Sequence, residues 1–467
     1  MKRIIYTTLS IFFLIMLANA CKEENTEPDN TLPDYLTYLE PSEQRTGDAE
    51  TGHEYLIYGN YLASGIPYVA IGNLLPSDGN VLNRTGDNAN LPRNYTAVDA
   101  SNGVRVVAPN CLECHAETIN GEFILGLGNV TNDYSFSQET LINIADALIT
   151  SIFGQDSPEW DAYEPFRTPT LKLSETLIAD VRGVNLANNV FAILAAHRDP
   201  HSFAWSDEEL IHAADQMVAV DVPAWWHVKK KNTLYYNGLG EGDFARLIMA
   251  SNLLTVTDSS EAREVDSNFA DVYAFLKSIE APAYPEEVDS NLALEGEQLF
   301  AANCAGCHGT YGENETYPNL LVDLDFIKTD PLLAELYYNE ASDYVDWYNN
   351  GWFAQEPNAA RFEPKNGYVA PPLDGIWATA PYFHNGSVPT VEAVLNSESR
   401  PMYWQRTFNT SDYDNEKLGW NYETLDAGGN TNIYDTTLDG YGNGGHTFGD
   451  NFTESERMAV VEYLKTL

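Results

Sequence analysis

Two short runs, Cys111-Leu112-Glu113-Cys114-His115 and Cys304-Ala305-Gly306-Cys307-His308, each bring two thiols and an imidazole together. Two residues between the cysteines match the separation of the two haem vinyl groups, so both sulfurs can form thioethers while the adjacent histidine reaches the iron. A structural zinc site would want further ligand pairs at finger-like spacing, and a redox Cys-x-x-Cys pair needs no histidine. An exported chain could also use close cysteines for disulfides, but a histidine after both pairs argues against that. Of five cysteines, four fall in these motifs and the fifth, Cys21, lies in a different context. The expectation is two covalently attached c-type haems on Cys111, Cys114, Cys304 and Cys307, with His115 and His308 as proximal iron ligands.

Helices are needed to present such motifs. Leu294 to Phe300 carries apolar residues at helical spacing into Cys304, and Thr453 with Glu456 forms a capping box before Met458, Val461 and Leu464. Upstream, Leu141, Ile144, Leu148 and Ile152 make one stripe over 137–153, with Gly154 as a stop. Ser206 with Glu209 predicts a further helix to about Val218, and Phe269, Val272, Tyr273 and Leu276 mark one over 267–279. The proline-containing stretch Ala281-Pro282-Ala283-Tyr284-Pro285 reads as a domain boundary, and the glycine-rich stretch 426–443 as an extended loop. The expected fold is mostly α: two cytochrome-c-like domains with long loops and one haem each, over 46–285 and 286–467.

Lys2 and Arg3, the apolar run Ile4 to Met16, and Leu17-Ala18-Asn19-Ala20 read as a removable export signal over 1–20. Cys21 directly after it resembles a lipobox cysteine, which implies a lipid on Cys21 and an acidic tether over 21–45. The body is then expected outside the cytoplasm, lipid-anchored to the outer membrane on its periplasmic or cell-surface side. No other apolar run approaches the ~18 residues a spanning helix needs. The net charge of −44 excludes nucleic acid as a partner, and suits a basic redox partner protein or a small electron donor.

Ala370-Pro371-Pro372-Leu373-Asp374-Gly375-Ile376-Trp377-Ala378-Thr379-Ala380-Pro381-Tyr382-Phe383-His384-Asn385-Gly386-Ser387-Val388-Pro389-Thr390 resembles a segment of bacterial di-haem cytochrome c peroxidases and their relatives. Four further stretches resemble the rubber-oxygenase-like branch: Ala196-His197-Arg198-Asp199-Pro200, Pro223-Ala224-Trp225-Trp226, Lys229-Lys230-Lys231-Asn232 and Gly445-His446-Thr447-Phe448-Gly449. The resemblance runs from near Tyr55 to the C-terminus. It implies a reactive N-terminal haem, where peroxide or dioxygen is activated, and a C-terminal relay haem. It does not carry rubber over as a substrate.

A relay haem is usually closed by a sixth ligand, and a reactive one is left open. His446, in a glycine-rich loop, is the preferred sixth ligand of the C-terminal haem, with His384 and Met402 as alternatives. Family peroxidases tend to supply a methionine soon after the Pro-Tyr-Phe-His segment, where this chain has Leu395 to Glu398. Met458 and Met249 are read as packing. For the N-terminal haem, Trp225, Trp226, Tyr235 and Tyr236 are candidates for a distal wall or an electron path between haems. His197, His201, His212 and His227 are possible ligands there, although surface or hydrogen-bonded roles suit them better. Glu175, Glu208 and Glu241 are candidates for a distal acid or base, and Lys229-Lys230-Lys231 for either a solvated face or a partner of haem propionates. The competing function is a pure electron-transfer cytochrome with two six-coordinate haems and no substrate.

Overall fold

Two helix crossings organise the chain, and both are built on a glycine. The computed structural model, which describes residues 32–72, 74–214 and 216–467, packs Ala49–Tyr58 against Ser259–Ser278, and Ser290–Asn303 against Glu454–Leu464. A Cβ at Gly52 would collide with the carbonyl of Asp271, and one at Gly296 with the carbonyl of Ala459. All four helices start on a side-chain cap: Asp48, Asp258, Asp289 and the capping box Thr453/Glu456. The first crossing brackets Cys111–His115 in sequence and the second brackets Cys304–His308.

A hairpin is repeated in the same way. Leu234 bridges Gly240 and Tyr382 bridges Val388. Tyr235 and Phe383 both take φ 70°, and Gly238 and Gly386 close the turns at φ 65° and 70°. Asn237-Gly238 and Asn385-Gly386 supply the turn chemistry in each.

The expected boundary at Ala281–Pro285 does not separate two bodies. Thr37–Leu467 forms one compact unit, because Ile119, Ile124 and Leu127 share a core with Trp226, Phe300, Trp377, Trp420, Val460 and Leu464. Ala281 and Tyr284 pack on that core, and Trp377 Nε1 donates to the Pro282 carbonyl at 2.7 Å. Burying a side chain such as Phe300 is worth about 3 kcal/mol, so the shared core binds the halves together. Strand Gly240–Gly242 also pairs antiparallel with Ala360–Phe362 across the boundary.

Helices make up 38% of the structure and strands 13%, so "mostly α" overstates a body in which irregular backbone is more extensive than helix. Cys21 and the export signal lie outside the described residues. Part of the expected tether belongs to the body: Leu39 is buried, and Arg45 pairs with Asp243 and Asp266, each at 2.7 Å. The helix Glu139–Ile152 forms, but Ile142, Ala145 and Ile149 face inward while Leu141, Ile144 and Ile152 are exposed. Asp146 decides this, since it lies on the inward side where Arg167 and Tyr163 bond it. No helix forms among the described residues of 206–218. There Leu210 N–H bonds to Ala196 and Val218 N–H to the Asn189 side chain, so tertiary partners take the donors a helix would use. In the glycine-rich stretch, Ile433–Asp435 pairs with Tyr403–Gln405 and buries Tyr434, while Tyr441 packs in the same cluster, which makes part of that loop core. No helix of the described residues is long and apolar enough to cross a membrane.

Candidate haem sites

At the second motif, Ser290–Asn303 ends against Cys304, and the short turn Ala305–His308 follows. That geometry sets Cys304, Cys307 and His308 on the wall of a cavity of ≈ 250 Å³, with Phe300, Leu395, Val460 and Leu464 as apolar neighbours. His308 Nδ1 lies 2.9 Å from the Pro371 carbonyl. Donation there fixes the tautomer and leaves Nε2 with the lone pair that a metal needs.

His446 lines the same cavity, its ring centroid 6.2 Å from that of His308. Two metal–imidazole bonds of about 2.1 Å and two ring radii of about 1.1 Å span about 6.4 Å. The gap is therefore that of one metal ion between two imidazoles. His446 is held at φ 44°, with its N–H on Ile327 O at 2.9 Å and its carbonyl accepting from Arg400 Nη2 at 3.0 Å. Phe383 and Phe448 flank its ring. Burial pushes its pKa down to about 3, so the imidazole is neutral, the form that ligates. Its Nδ1 is buried without a partner. Thiols, an oriented imidazole, apolar walls and a second neutral imidazole at this span fit a c-type haem.

His384 also lines the cavity, but its ring face is stacked on Tyr368 at 4.1 Å. Met402 is 57% exposed, away from the cavity wall. Met458, expected to pack, is exposed on its helix, while Met249 is buried as expected.

The first motif is built differently. Cys111–Glu113 is a single 3₁₀ turn capped by Asn110, with Leu112 buried as its anchor. Asn185 Nδ2 donates to Cys114 Sγ at 3.3 Å. The His115 ring stacks on Trp225, centroids 4.6 Å apart, and its Nδ1 is buried without a partner. Burial pushes this imidazole also to about 3. Gly126 ties the stack together, because its N–H bonds to His115 O at 3.0 Å and its carbonyl accepts from Trp225 N–H at 2.9 Å.

Trp225, Trp226, Tyr235 and Tyr236 do not form one wall. The 3₁₀ turn Trp225–His227 sends successive side chains in different directions. Trp225 covers His115, Trp226 donates to Asp374 O at 2.7 Å within the shared core, and His227 Nε2 meets the same carbonyl at 2.8 Å while lining the second cavity. Tyr235 packs on Phe362, whereas Tyr236 lines the second cavity and donates to Asp221 at 2.9 Å. His197 is bonded to Ser206 O and stacked on Trp205; His201 and His212 are exposed. Glu175 and Glu241 pair with Lys172 and Lys365, and Glu208 is exposed. None of these three carboxylates is engaged with the first motif. The carboxylates nearest it in sequence, Glu113 inside the motif and Glu117 just after it, were passed over: Glu113 is bonded to Asn94 and Asn132, with its pKa raised by burial, and Glu117 accepts from Thr131 at 2.6 Å. Their position was the available signal. Asp221, raised to about 8 by burial, had none.

Residues 293–373 match the family model "Cytochrome c", and residues 367–405 match "RoxA-like, cytochrome c-like". Two uncharacterized proteins of Sinorhizobium fredii (strain NBRC 101917 / NGR234) are similar: y4iM, 29% identical over 48% of this chain and 56% of that protein, and y4iJ, 30% identical over 38% and 39%. The chain thus spans about half the length, or less, of the curated relatives it matches. These matches give residues 293–405 a cytochrome c domain with a RoxA-like segment, and haem binding and electron transfer follow from that domain.

Proposed function

We propose that this chain is an extracytoplasmic di-haem oxidoreductase in which the haem at His115 reacts with peroxide or dioxygen and the haem at His308 relays electrons. The observation that carries the reading is the unlike setting of the two proximal histidines. His308 has His446 facing it at the span of one iron, whereas the ring packed on His115 is that of Trp225. Bound haem would supply the redox-active iron at both motifs. The chain's own part is to hold each imidazole neutral, to fix Nδ1 of His308 on Pro371, and to close the second site with His446. Trp225 and His227 are two residues apart and touch His115 and the cavity of the second motif respectively, so this turn is a short covalent link between the sites. An acidic surface of this size favours a basic redox partner or a small donor, and the leader-like start with Cys21 supports a lipid anchor in the outer membrane.

Carbon monoxide titration of the reduced protein tests the division of roles. One carbon monoxide per chain, with one high-spin ferric haem, is expected. Two haems that stay low-spin and inert to carbon monoxide and peroxide in every redox state would make the chain a pure electron carrier.

A further inference from the structure

The run Lys229-Lys230-Lys231 is divided by the fold. Lys229 pairs with Glu280 at 2.6 Å, and Lys230 with Asp374 at 2.7 Å and Glu315 at 3.0 Å. Lys231 turns the other way. It lines the cavity that holds Cys304, Cys307 and His308, and its ammonium makes no hydrogen bond or ion pair among the described residues. The acidic residue of that wall, Asp221, is engaged by Tyr236. An ammonium taken out of water without a counter-charge is costly, and burial brings this one down to about 8. Lys231 is half-buried, and Thr329 Oγ1, buried without a partner among the described residues, lines the same cavity. The wall therefore offers a cation and a hydroxyl to something anionic that enters.

We propose that Lys231 binds a propionate of the haem attached at Cys304 and Cys307. The inference rests on haem occupying that motif. The thioethers hold the vinyl edge of the macrocycle, and the two propionate carboxylates sit on the opposite edge. Lys231 comes from the N-terminal half of the chain, so its contact orients the propionate edge toward the 221–236 segment and ties haem insertion to the joining of the halves.

The test is a redox titration of the full-length holoprotein carrying Lys231→Met, with Lys231→Arg beside it and haem content measured for each. Loss of a positive charge beside the carboxylate disfavours the added electron. The ratio of reduced to oxidised C-terminal haem at fixed potential should fall on the order of tenfold, about 59 mV for one electron, with an unchanged low-spin spectrum, and arginine should restore most of it. A fully loaded Lys231→Met protein with an unshifted midpoint overturns the proposal. Cys304→Ala/Cys307→Ala distinguishes the premise: if that variant keeps the full haem content, the second motif carries no haem, and the reading beneath the proposal fails instead.

Discussion

The two halves share a frame and differ in what the frame surrounds. Gly52 under Asp271 and Gly296 under Ala459 are the same device, a crossing tight enough to exclude any side chain, and the hairpins at Tyr235 and Phe383 share an unusual backbone state. The motifs within this frame are unalike. Cys304 and Cys307 follow directly on the crossing helix, and His308 looks into an apolar cavity toward His446. Cys111 and Cys114 lie far along the chain from their crossing helix, after a three-stranded sheet, and His115 is covered by Trp225. The elements around the two motifs are thus alike, while the loops that close over them differ, as expected where scaffold and function are carried by different parts.

Removing His446 should blur the contrast most. His446→Ala is expected to convert the C-terminal ferric haem from low to high spin and to raise carbon monoxide binding from one to two per chain, read by absorption and EPR spectra. Met402→Ala, at a 57% exposed position, should leave both spectra unchanged. A low-spin spectrum that survives in His446→Ala would hand the ligand role to His384 or another residue.

The shared frame is tested at its glycines. Gly52→Ala and Gly296→Ala each force a methyl group into a backbone carbonyl, and overpacking of this kind costs about 3 kcal/mol. Comparable falls in the urea midpoint, followed by circular dichroism, are expected from both. A large fall from Gly296→Ala alone would show that only the C-terminal crossing carries the fold.

The hairpins differ in their ionisable groups as well. Tyr236 rests on Asp221, while its counterpart His384 is neutral, pushed to about 3 by burial. Asp221 holds its proton up to about 8, against about 4 in an unfolded chain. The folded state therefore binds the proton more tightly, so this group's contribution to stability is greatest below pH ~4 and is lost as pH rises toward 8. Asp221→Asn should flatten that decline, an effect of up to about 5 kcal/mol by pH 8 at about 1.4 kcal/mol per pH unit. Unfolding midpoints of both proteins from pH 5 to 9 would show it, and parallel curves would contradict it.

Local patterns were the most legible part of the chain. The capping box at Thr453 and the stripe Phe269 to Leu276 are such patterns, which act through neighbours in sequence, and both helices form. What escaped was decided by distant partners. Gln44 and Arg45 look like tether until Gly242, Asp243 and Asp266 arrive to bond them. Ala281–Pro285 looks like a linker until Trp377 reaches Pro282. Four aromatics close in sequence look like one wall, yet a 3₁₀ turn and a left-handed residue direct them to separate places.

The helix Glu139–Ile152, an addition of the N-terminal half, shows the same limit in its plainest form. It carries two apolar stripes, Ile142/Ala145/Ile149 and Leu141/Ile144/Leu148/Ile152, and periodicity alone ranks the second at least as high. The ion pair of Asp146 with Arg167 turns the first stripe onto Tyr163 instead. Ile149→Ala should then cost about 3 kcal/mol by leaving a cavity, whereas Ile144→Ala, at a 60% exposed position, should change stability by less than about 0.5 kcal/mol. Chemical denaturation of the two variants side by side measures the difference. Equal losses would mean that the outer stripe is covered in solution, and that the N-terminal half buries more than this one chain supplies.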